Sequence, residues 1–298
     1  MSVSSTSLDR HGVPGWLQAT PFALVFTLFF LLPLAFVVVV SFWDYNDYQM
    51  LPTFTTRSYV ESFEGCLNDL PSLCTMFKTY VSTAKFCFIV WALTLVIGFW
   101  VAYFLAFHVR STTGQMTLFL VCTIPFWTSN VIRMIAWVPL LGRNGLVNQV
   151  LMDLHLVDSP VEWLLFSQFS VALAFVHLFT FFMVAPIFNS MMRIDRRLIE
   201  AAYDAGANGR QMLTNVIIPL CKPGIAIGSI FVVTIVMGDF VTFGVMGGQQ
   251  IASAGKLIET RLGALQFPPA ASNAVILLGA TLVIIAVLNR IVDVRREL

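Results

Sequence analysis

The sequence predicts an all-α protein that crosses a membrane six times. Of its 298 residues, 58% are hydrophobic and 11% are charged, with a mean hydropathy of +0.83, whereas soluble domains are roughly 45 to 50% apolar. A spanning helix needs about 20 largely apolar residues. Six stretches meet this requirement: 20–42, 86–107, 116–140, 164–189, 222–246 and 271–291. They are expected to form one transmembrane domain, residues 20–298, after a polar tail over residues 1–19.

Lys and Arg are distributed unevenly over the loops between these spans. Ten of the 17 lie in the N-terminal tail, the 108–115 loop, the 190–222 loop or the C-terminal segment, and five lie in the other three loops. Short loops rich in Lys and Arg stay on the cytoplasmic side of a membrane. Both termini and the 190–222 loop are therefore predicted to be cytoplasmic.

The first outer loop holds two cysteines, Cys66 and Cys74. An oxidising outer compartment permits a disulfide between such a pair. We therefore take a disulfide as the hypothesis and two free thiols as the alternative.

Two of the predicted spans carry small residues at helical spacing. Gly98, Ala102 and Ala106 recur at every fourth position of the second span, and Gly224 and Gly228 are spaced likewise in the fifth. Small residues let helix backbones approach closely inside a membrane. These faces are expected to pack against other spans of the bundle.

Polar residues interrupt the middle of the third span. Pro125 is followed by Trp127, Thr128, Ser129 and Asn130, and broken helices at membrane depth are tolerated where they border a cavity. Trp127 offers a ring on which an organic cation can stack. A kink that neighbouring helices satisfy is the alternative.

Arg133 and Asp239 are the clearest charges within predicted spans. Such charges usually face protein or a wet cavity and mark a function, and at about 1.5 Å per residue both lie in the outer half of the membrane. They either form an ion pair, or Arg133 extends outward to the interface, or one or both line a solute pathway. His177, near the centre of the fourth span, is expected to hydrogen bond to a neighbouring helix, with a proton relay as the alternative.

Motifs for catalysis and metal binding are absent from the sequence. A P-loop needs G-x-x-x-x-G-K-[ST], and the nearest candidate, from Gly248 to Lys256, has the wrong spacing and is followed by Leu257. The four histidines lack the paired spacing of a metal site. We expect no catalytic residue, no metal and no cofactor on this chain, and no nucleic-acid partner.

The stretch EAAYDAGANGRQMLTNVIIPLCKPG, residues 200–224, lies in the predicted cytoplasmic loop. Its first residues favour a helix, and Gly206 can turn or stop that helix because glycine tolerates a positive φ. A second short helix is predicted over about 211–218, before Pro219 and Pro223 break the chain. The prediction is a helix-turn-helix on the cytoplasmic face, with an amphipathic surface connector as the alternative.

This stretch resembles the EAA loop of binding-protein-dependent ABC importer permeases, E-A-A-x3-G-x9-I-x-L-P. Val216 and Ile218 replace the Ile and Leu of that motif. In that family the loop forms a coupling helix that inserts into a groove of the ATPase subunit. By resemblance, this contact is carried here by Glu200, Ala201, Ala202, Asp204, Gly206 and Pro219.

Three further stretches resemble the spermidine/putrescine permease group within that family. They are IPFWTSNVIRMIAW (124–137), LLGRNGLVN (140–148) and GDFVTFGVMGG (238–248), and the likeness extends over about residues 86–291. Asp239 stands where that group commonly has Glu, so its carboxylate has a shorter reach, and polyamines, opines and phosphonates all stay open as substrates. The candidate pathway residues are Trp127, Asn130, Arg133, Asp239 and Phe240.

The resemblance implies the type I ABC importer permease fold and one subunit of a bacterial inner-membrane importer for a small polar, polyamine-like solute. It also implies four partners beside membrane lipid: a second homologous permease, identical or different, two ATPase subunits that hold ATP and Mg²⁺, and an extracytoplasmic binding protein. The alternatives are a self-sufficient secondary transporter or channel for a small polar or cationic solute, and a membrane anchor without a transport role.

Overall fold

Fourteen α-helices and one β-hairpin form the part of the chain that the computed structural model describes, residues 15–46, 49–64, 66, 74–248 and 250–291. The helices are α1 (Gly15–Phe26), α2 (Leu32–Val40), α3 (Arg57–Phe63), α4 (Thr75–Tyr103), α5 (Thr112–Thr123), α6 (Asn130–Leu141), α7 (Leu146–Asp153), α8 (Gln168–Met192), α9 (Arg196–Asp204), α10 (Gly209–Met212), α11 (Ile218–Gly238), α12 (Val241–Met246), α13 (Ala254–Gly263) and α14 (Phe267–Ile291). Strands β1 (Trp43–Tyr45) and β2 (Met50–Phe54) are antiparallel. Short π-helical turns lie at Thr27–Leu31, Phe104–His108 and Leu213–Ile217, and 3-10 turns lie at Ile124–Trp127 and Glu162–Leu164.

Five continuous helical segments within the described residues are long and apolar enough to cross a membrane. They are Ala19–Val40, Thr75–His108, Glu162–Met192, Gly209–Gly238 and Phe267–Arg290. A sixth candidate is the pair Thr112–Trp127 and Asn130–Asp153, which meet at an angle of 85°. Helices of this kind are typical of a multi-pass membrane protein. The predicted tail lies outside the described residues up to residue 14, and the first helix already begins at Gly15.

The second span begins at Thr75 and not at residue 86 as predicted. Its first turns are polar, but their hydroxyl groups bond within the helix. Thr79 donates to the Thr75 carbonyl at 2.8 Å, and Thr83 donates to the Thr79 carbonyl at 2.9 Å. Because these side chains satisfy themselves, the helix extends beyond the apolar run from which its start was predicted.

The third span is two helices rather than the single span predicted over 116–140. The break follows Pro125, which has no N–H to donate, and the Thr128 hydroxyl donates to the Pro125 carbonyl at 2.9 Å. The chain then resumes as α6 after the bend. The irregular middle predicted for this span is therefore present, and its second half points in a different direction.

The predicted break before the fifth span is absent. One helical segment extends from Gly209 to Gly238 and passes through both Pro219 and Pro223. A π-helical turn ends at Ile217, two residues before Pro219, and such turns accommodate a local change in the hydrogen-bond register of a helix. The span also ends at Gly238, before the predicted residue 246, because α12 is a separate helix.

Helix α8 lies at the centre of the bundle and packs along both α4 and α11. Close backbone approach explains this packing. A Cβ atom built on Gly98 of α4 would lie 2.9 Å from Met183 Cγ, and one built on Gly228 of α11 would lie 2.7 Å from Met183 Sδ. Ala102 is fully buried and Ala106 is 5% exposed. The small-residue faces predicted from the sequence thus pack as expected.

Cys66 and Cys74 are joined by a disulfide in the structure. The other three cysteines, Cys87, Cys122 and Cys221, are free. We therefore expect three of the five thiols to react with an alkylating reagent in denatured, unreduced protein, and all five after reduction. Intact-protein mass spectrometry measures both numbers. Five reactive thiols before reduction would contradict the disulfide, and a Cys66→Ser, Cys74→Ser double variant is the control for the unreduced protein.

Candidate functional site

The loop between α8 and α11 forms an ordered surface segment, residues 195–212. Asp195 begins it by capping α9, because its carboxylate accepts a hydrogen bond from the Arg197 N–H at 2.9 Å. Side chains of this type at a helix start bond the N–H groups that have no partner within the helix. Helix α9 thus begins close to Arg193, at the end of α8.

Gly206 turns the chain between the two short helices of this segment. Its φ is +85°, a value that side-chain-bearing residues rarely adopt. The Ala207 N–H donates to the Ala202 carbonyl at 3.0 Å, and the Gly206 N–H donates to the Tyr203 carbonyl at 2.8 Å. This pair of bonds is the Schellman motif, which ends a helix at glycine. The predicted turn therefore lies at the predicted residue.

A reciprocal cap begins the second helix of the surface segment. The Gln211 N–H donates to Asn208 Oδ1, and the Asn208 N–H donates to Gln211 Oε1, each at 2.9 Å. This capping box starts α10 at Gly209, two residues before the predicted position. Each turn of the surface segment is thus fixed by its own local sequence.

The two faces of α9 differ in their contacts. Ile199 and Ala202 are half-buried and pack against the core of the chain. Leu198 and Tyr203 are 51% and 56% exposed. Of the two small residues expected to allow close approach of a partner, only Ala201 lies on the exposed side. Ala202 packs partly against this chain, and its contact with a partner stays a prediction.

The acidic residues of α9 are exposed and unpaired. Glu200 and Asp204 form no ion pair within 4.0 Å among the residues that the structure describes. Glu200 and Tyr203 line a groove of about 370 Å³ between α9 and the end of the second span, whose wall includes His108. Pro219, by contrast, is half-buried within the fifth span. Four of the predicted contact residues are therefore exposed to a partner: Glu200, Ala201, Asp204 and Gly206.

Three candidate pathway residues lie at the break of the third span, and two of them, Asn130 and Arg133, are in contact. Trp127 is 82% exposed. In the first turn of α6, Arg133 Nη2 donates a hydrogen bond to Asn130 Oδ1. The next turn of α6 brings Trp137, whose Nε1–H donates to His177 Nδ1 at 3.1 Å. His177 therefore bonds to a neighbouring helix as expected. Trp137 was not predicted from the sequence, although its spacing of four from Arg133 places both on one helix face.

Arg133 and Asp239 do not form an ion pair. Asp239 Oδ1 instead accepts a hydrogen bond from the Thr242 N–H at 2.7 Å, at the start of α12. Helix α12 packs against α6, the helix that carries Arg133. Phe240, between Asp239 and α12, is 44% exposed. The two charges thus lie in one region of the molecule, but Asp239 is held by the backbone.

Substitutions of Asp239 test whether its carboxylate caps α12 or supplies a negative charge to the solute pathway. Asn keeps an oxygen that caps α12 but removes the charge, whereas Ala removes both. If capping is the role of Asp239, Asp239→Asn retains solute uptake and Asp239→Ala lowers thermal stability by about 1 kcal/mol. Uptake by membranes and thermal unfolding in detergent measure the two effects. Loss of uptake in Asp239→Asn with unchanged unfolding would instead assign the charge to the pathway.

Known proteins similar to this chain are transport permeases. The spermidine/putrescine transport system permease protein PotB of Escherichia coli K12 is 28% identical over 291 residues, which is 96% of this chain and 98% of that protein. PotB of Haemophilus influenzae is 29% identical over 248 residues, 82% of each chain. The inner membrane ABC transporter permease protein YdcU of Escherichia coli K12 is 29% identical over 191 residues, 59% of each chain. The predicted family resemblance is confirmed.

Solved structures share the fold of this chain. A chain of the bacterial alginate ABC transporter, solved in complex with an alginate pentasaccharide-bound periplasmic protein, superimposes with a TM-score of 0.72 at 15% identity and covers 95% of this chain and 94% of its own length. A second alginate transporter structure gives a TM-score of 0.68 at 16% identity, with 93% and 95% covered. No family model matches the sequence. The ABC importer permease fold is therefore shared over nearly the whole chain.

Proposed function

We propose that this chain is a transmembrane subunit of an ATP-driven ABC importer and that its surface segment is the coupling helix. The observation that carries the proposal is the geometry of α9. It is a capped helix at a fixed turn, joined directly to two spans, with Glu200, Ala201 and Asp204 exposed. Exposed acids that the chain leaves unpaired are available to a partner with basic side chains.

The permease names of the relatives support an importer with several subunits, and we propose its partners from the family resemblance. A second homologous permease completes the pathway, and a soluble binding protein delivers the solute from outside. Two ATPase subunits dock on α9 and its counterpart, and they bind ATP and Mg²⁺. This chain changes no covalent bond. It lies in the bacterial inner membrane with both termini in the cytoplasm, since the basic loops are on that side.

The surface segment transmits movement because it is continuous with a span. Helix α10 joins α11 through the π-helical turn, and together they form one helical segment of 30 residues, Gly209–Gly238. A break at Pro219 would have decoupled the two ends. Closure of the ATPases therefore pushes α9, and the fifth span moves as a unit up to Asp239, beside the candidate pathway.

The solute is small and polar, and the relatives make a polyamine-like compound the first candidate, because two of them are named for spermidine and putrescine transport. The candidate pathway runs past Trp127, Asn130, Arg133, Asp239 and Phe240. Trp127 presents its ring to the outside of the chain and suits an organic cation.

Affinity purification of the detergent-solubilised chain from its own cells tests this function. We expect a P-loop ATPase to purify with it, together with a second permease, and the purified assembly to hydrolyse ATP. The permease relatives do not favour a self-sufficient transporter. Such a transporter would purify without an ATPase, and it would take up solute when ATP is depleted but the ion gradient is intact. That result would overturn the proposal.

A further inference from the structure

A cavity of about 190 Å³ lies where the third span breaks, against α8. Four polar side chains line it, Cys122, Arg133, His177 and Thr180, and the rest of its wall is apolar, including Phe126. No Asp or Glu of the described residues is in its wall. The charge of this cavity is therefore positive.

Arg133 has hydrogen-bonding capacity that the protein leaves unused. A guanidinium carries five N–H donors. One nitrogen, Nη2, donates to Asn130, and Nε is buried without an acceptor among the described residues. No described carboxylate lies within 4.0 Å of the guanidinium. Burying a donor without an acceptor costs free energy, so this arrangement favours an acceptor from outside the chain.

One other polar group of the cavity, His177, also presents a donor. His177 Nδ1 already accepts the Trp137 N–H, so the proton of the neutral ring is on Nε2, which is free to donate. The Thr180 hydroxyl donates its one proton to the Val176 carbonyl at 2.5 Å, so it offers no donor to the cavity. An Arg and a His donor at one place suit a group with several acceptor oxygens and a negative charge.

We propose that this cavity binds a carboxylate or comparable oxyanion of the transported solute, with Arg133 as its partner. The inference rests on the proposed transport function and names the chemistry of the solute. Small-molecule sites usually occupy about 300 to 1,000 Å³, so this cavity accommodates one end group and leaves the rest of the solute outside it. A solute with an amine at one end and an oxyanion at the other fits both this site and the amine substrates named for the relatives.

Fluorine NMR of tryptophan tests the proposal, because Trp137 bonds directly to His177. The full chain, co-purified with its partners and labelled with 5-fluorotryptophan, is placed in nanodiscs of neutral phosphatidylcholine, and the Trp137 signal is assigned with Trp137→Phe. Putrescine, 4-aminobutyrate and 3-aminopropylphosphonate are then titrated as probes of similar length. We expect the two oxyanion probes to shift the Trp137 signal in a saturable way, and putrescine to leave it unchanged.

Variants connect the response to the guanidinium. Loss of a charged hydrogen-bonding partner is worth about a tenfold change in affinity or more, so Arg133→Gln should weaken both oxyanion probes by at least that factor. Arg133→Lys keeps the charge, and its affinity for the oxyanion probes should lie between those of the unchanged protein and Arg133→Gln. The control is Arg143→Gln, at a residue 72% exposed and ion-paired to Glu162 at 3.8 Å, and it should behave as the unchanged protein. An unchanged gel-filtration profile shows that each variant is folded.

Several results would overturn the proposal. The first is that neither oxyanion probe shifts the Trp137 signal. The second is that the oxyanion probes shift it equally in Arg133→Gln and in the unchanged protein, and the third is that putrescine shifts it. The phosphate of an anionic lipid is the other source of an oxyanion, because phosphatidylglycerol lacks the choline cation that balances the phosphate of phosphatidylcholine. If replacing phosphatidylcholine by phosphatidylglycerol without any probe shifts the signal, and Arg133→Gln removes that shift, lipid fills the cavity and the proposal is wrong. Failure of the transport function itself would be seen separately, as the absence of an ATPase from the purified assembly.

Discussion

Gly206→Val is expected to abolish most ATP-driven uptake while the chain remains in the membrane. Gly206 has a φ of +85°, and a left-handed conformation costs an L-residue roughly 1 to 2 kcal/mol, with β-branched side chains the least tolerant. Relief of this strain moves α9 away from the position that the Schellman motif gives it. Because the proposed coupling to the ATPases depends on the position of α9, we expect solute uptake to fall by about tenfold or more. Association with the extracytoplasmic binding protein should be unchanged.

The chain offers a matched control at Gly209. Neither glycine has a heavy atom within 4 Å of a built Cβ, so the only relevant difference is that Gly206 has a positive φ. Gly209→Val should therefore keep uptake. Gly206→Asn should keep most of it, because Asn tolerates the left-handed region better than other side chains. Full uptake by Gly206→Val would show that the turn does not position α9 for coupling.

Gly224→Ala is expected to destabilise the bundle. A Cβ at this position would lie 2.5 Å from the Pro186 carbonyl oxygen and 2.5 Å from Ser190 Oγ. A carbonyl is part of the backbone and cannot rotate away, so α11 must move off α8. Overpacking of this kind typically costs about 1 to 3 kcal/mol. A lower thermal unfolding temperature in detergent, with a lower yield of the assembled complex, is the expected result.

Gly279→Ala is the control for the same change in another span. Gly279 lies in α14, with nothing within 4 Å of a built Cβ. Replacing glycine by alanine inside a helix stabilises it by roughly 0.5 to 1 kcal/mol when space allows. The two variants should thus shift the unfolding temperature in opposite directions. Equal effects would contradict the close contact between α8 and α11.

Residue types alone predicted the features that depend on local chemistry. Apolar runs placed the spans, the spacing of Gly224 and Gly228 predicted a packing face, and Gly206 marked the turn of the surface segment. Each of these depends on properties of a residue and its near neighbours. They required no knowledge of how distant parts of the chain meet.

Other features depended on bonds that the residue types do not reveal. Thr79 and Thr83 look like the end of a span, but their hydroxyls bond within the helix and extend it. Pro219 looks like a break, but a π-helical turn precedes it and the helix continues. Hydropathy and proline position do not detect either effect.

The candidate pathway shows the same limit. Arg133 and Asp239 were recognised as intramembrane charges, and an ion pair was one natural interpretation. The Asp239 carboxylate is used by the Thr242 N–H, a backbone donor present in any sequence. The start of α12 therefore keeps Asp239 from pairing with Arg133, and no single residue predicts this. Arg133 retains N–H donors that it can offer to a solute.

Cross-linking from α9 tests the central claim most directly. A cysteine at the exposed position of Ala201 is expected to cross-link to a P-loop ATPase subunit in membranes, with a yield that changes when ATP is added. Leu156, which is 67% exposed in the loop after α7, gives the control, and Leu156→Cys should yield no such product. The claim is contradicted if Ala201→Cys membranes take up solute normally and form no adduct with an ATPase under any nucleotide condition.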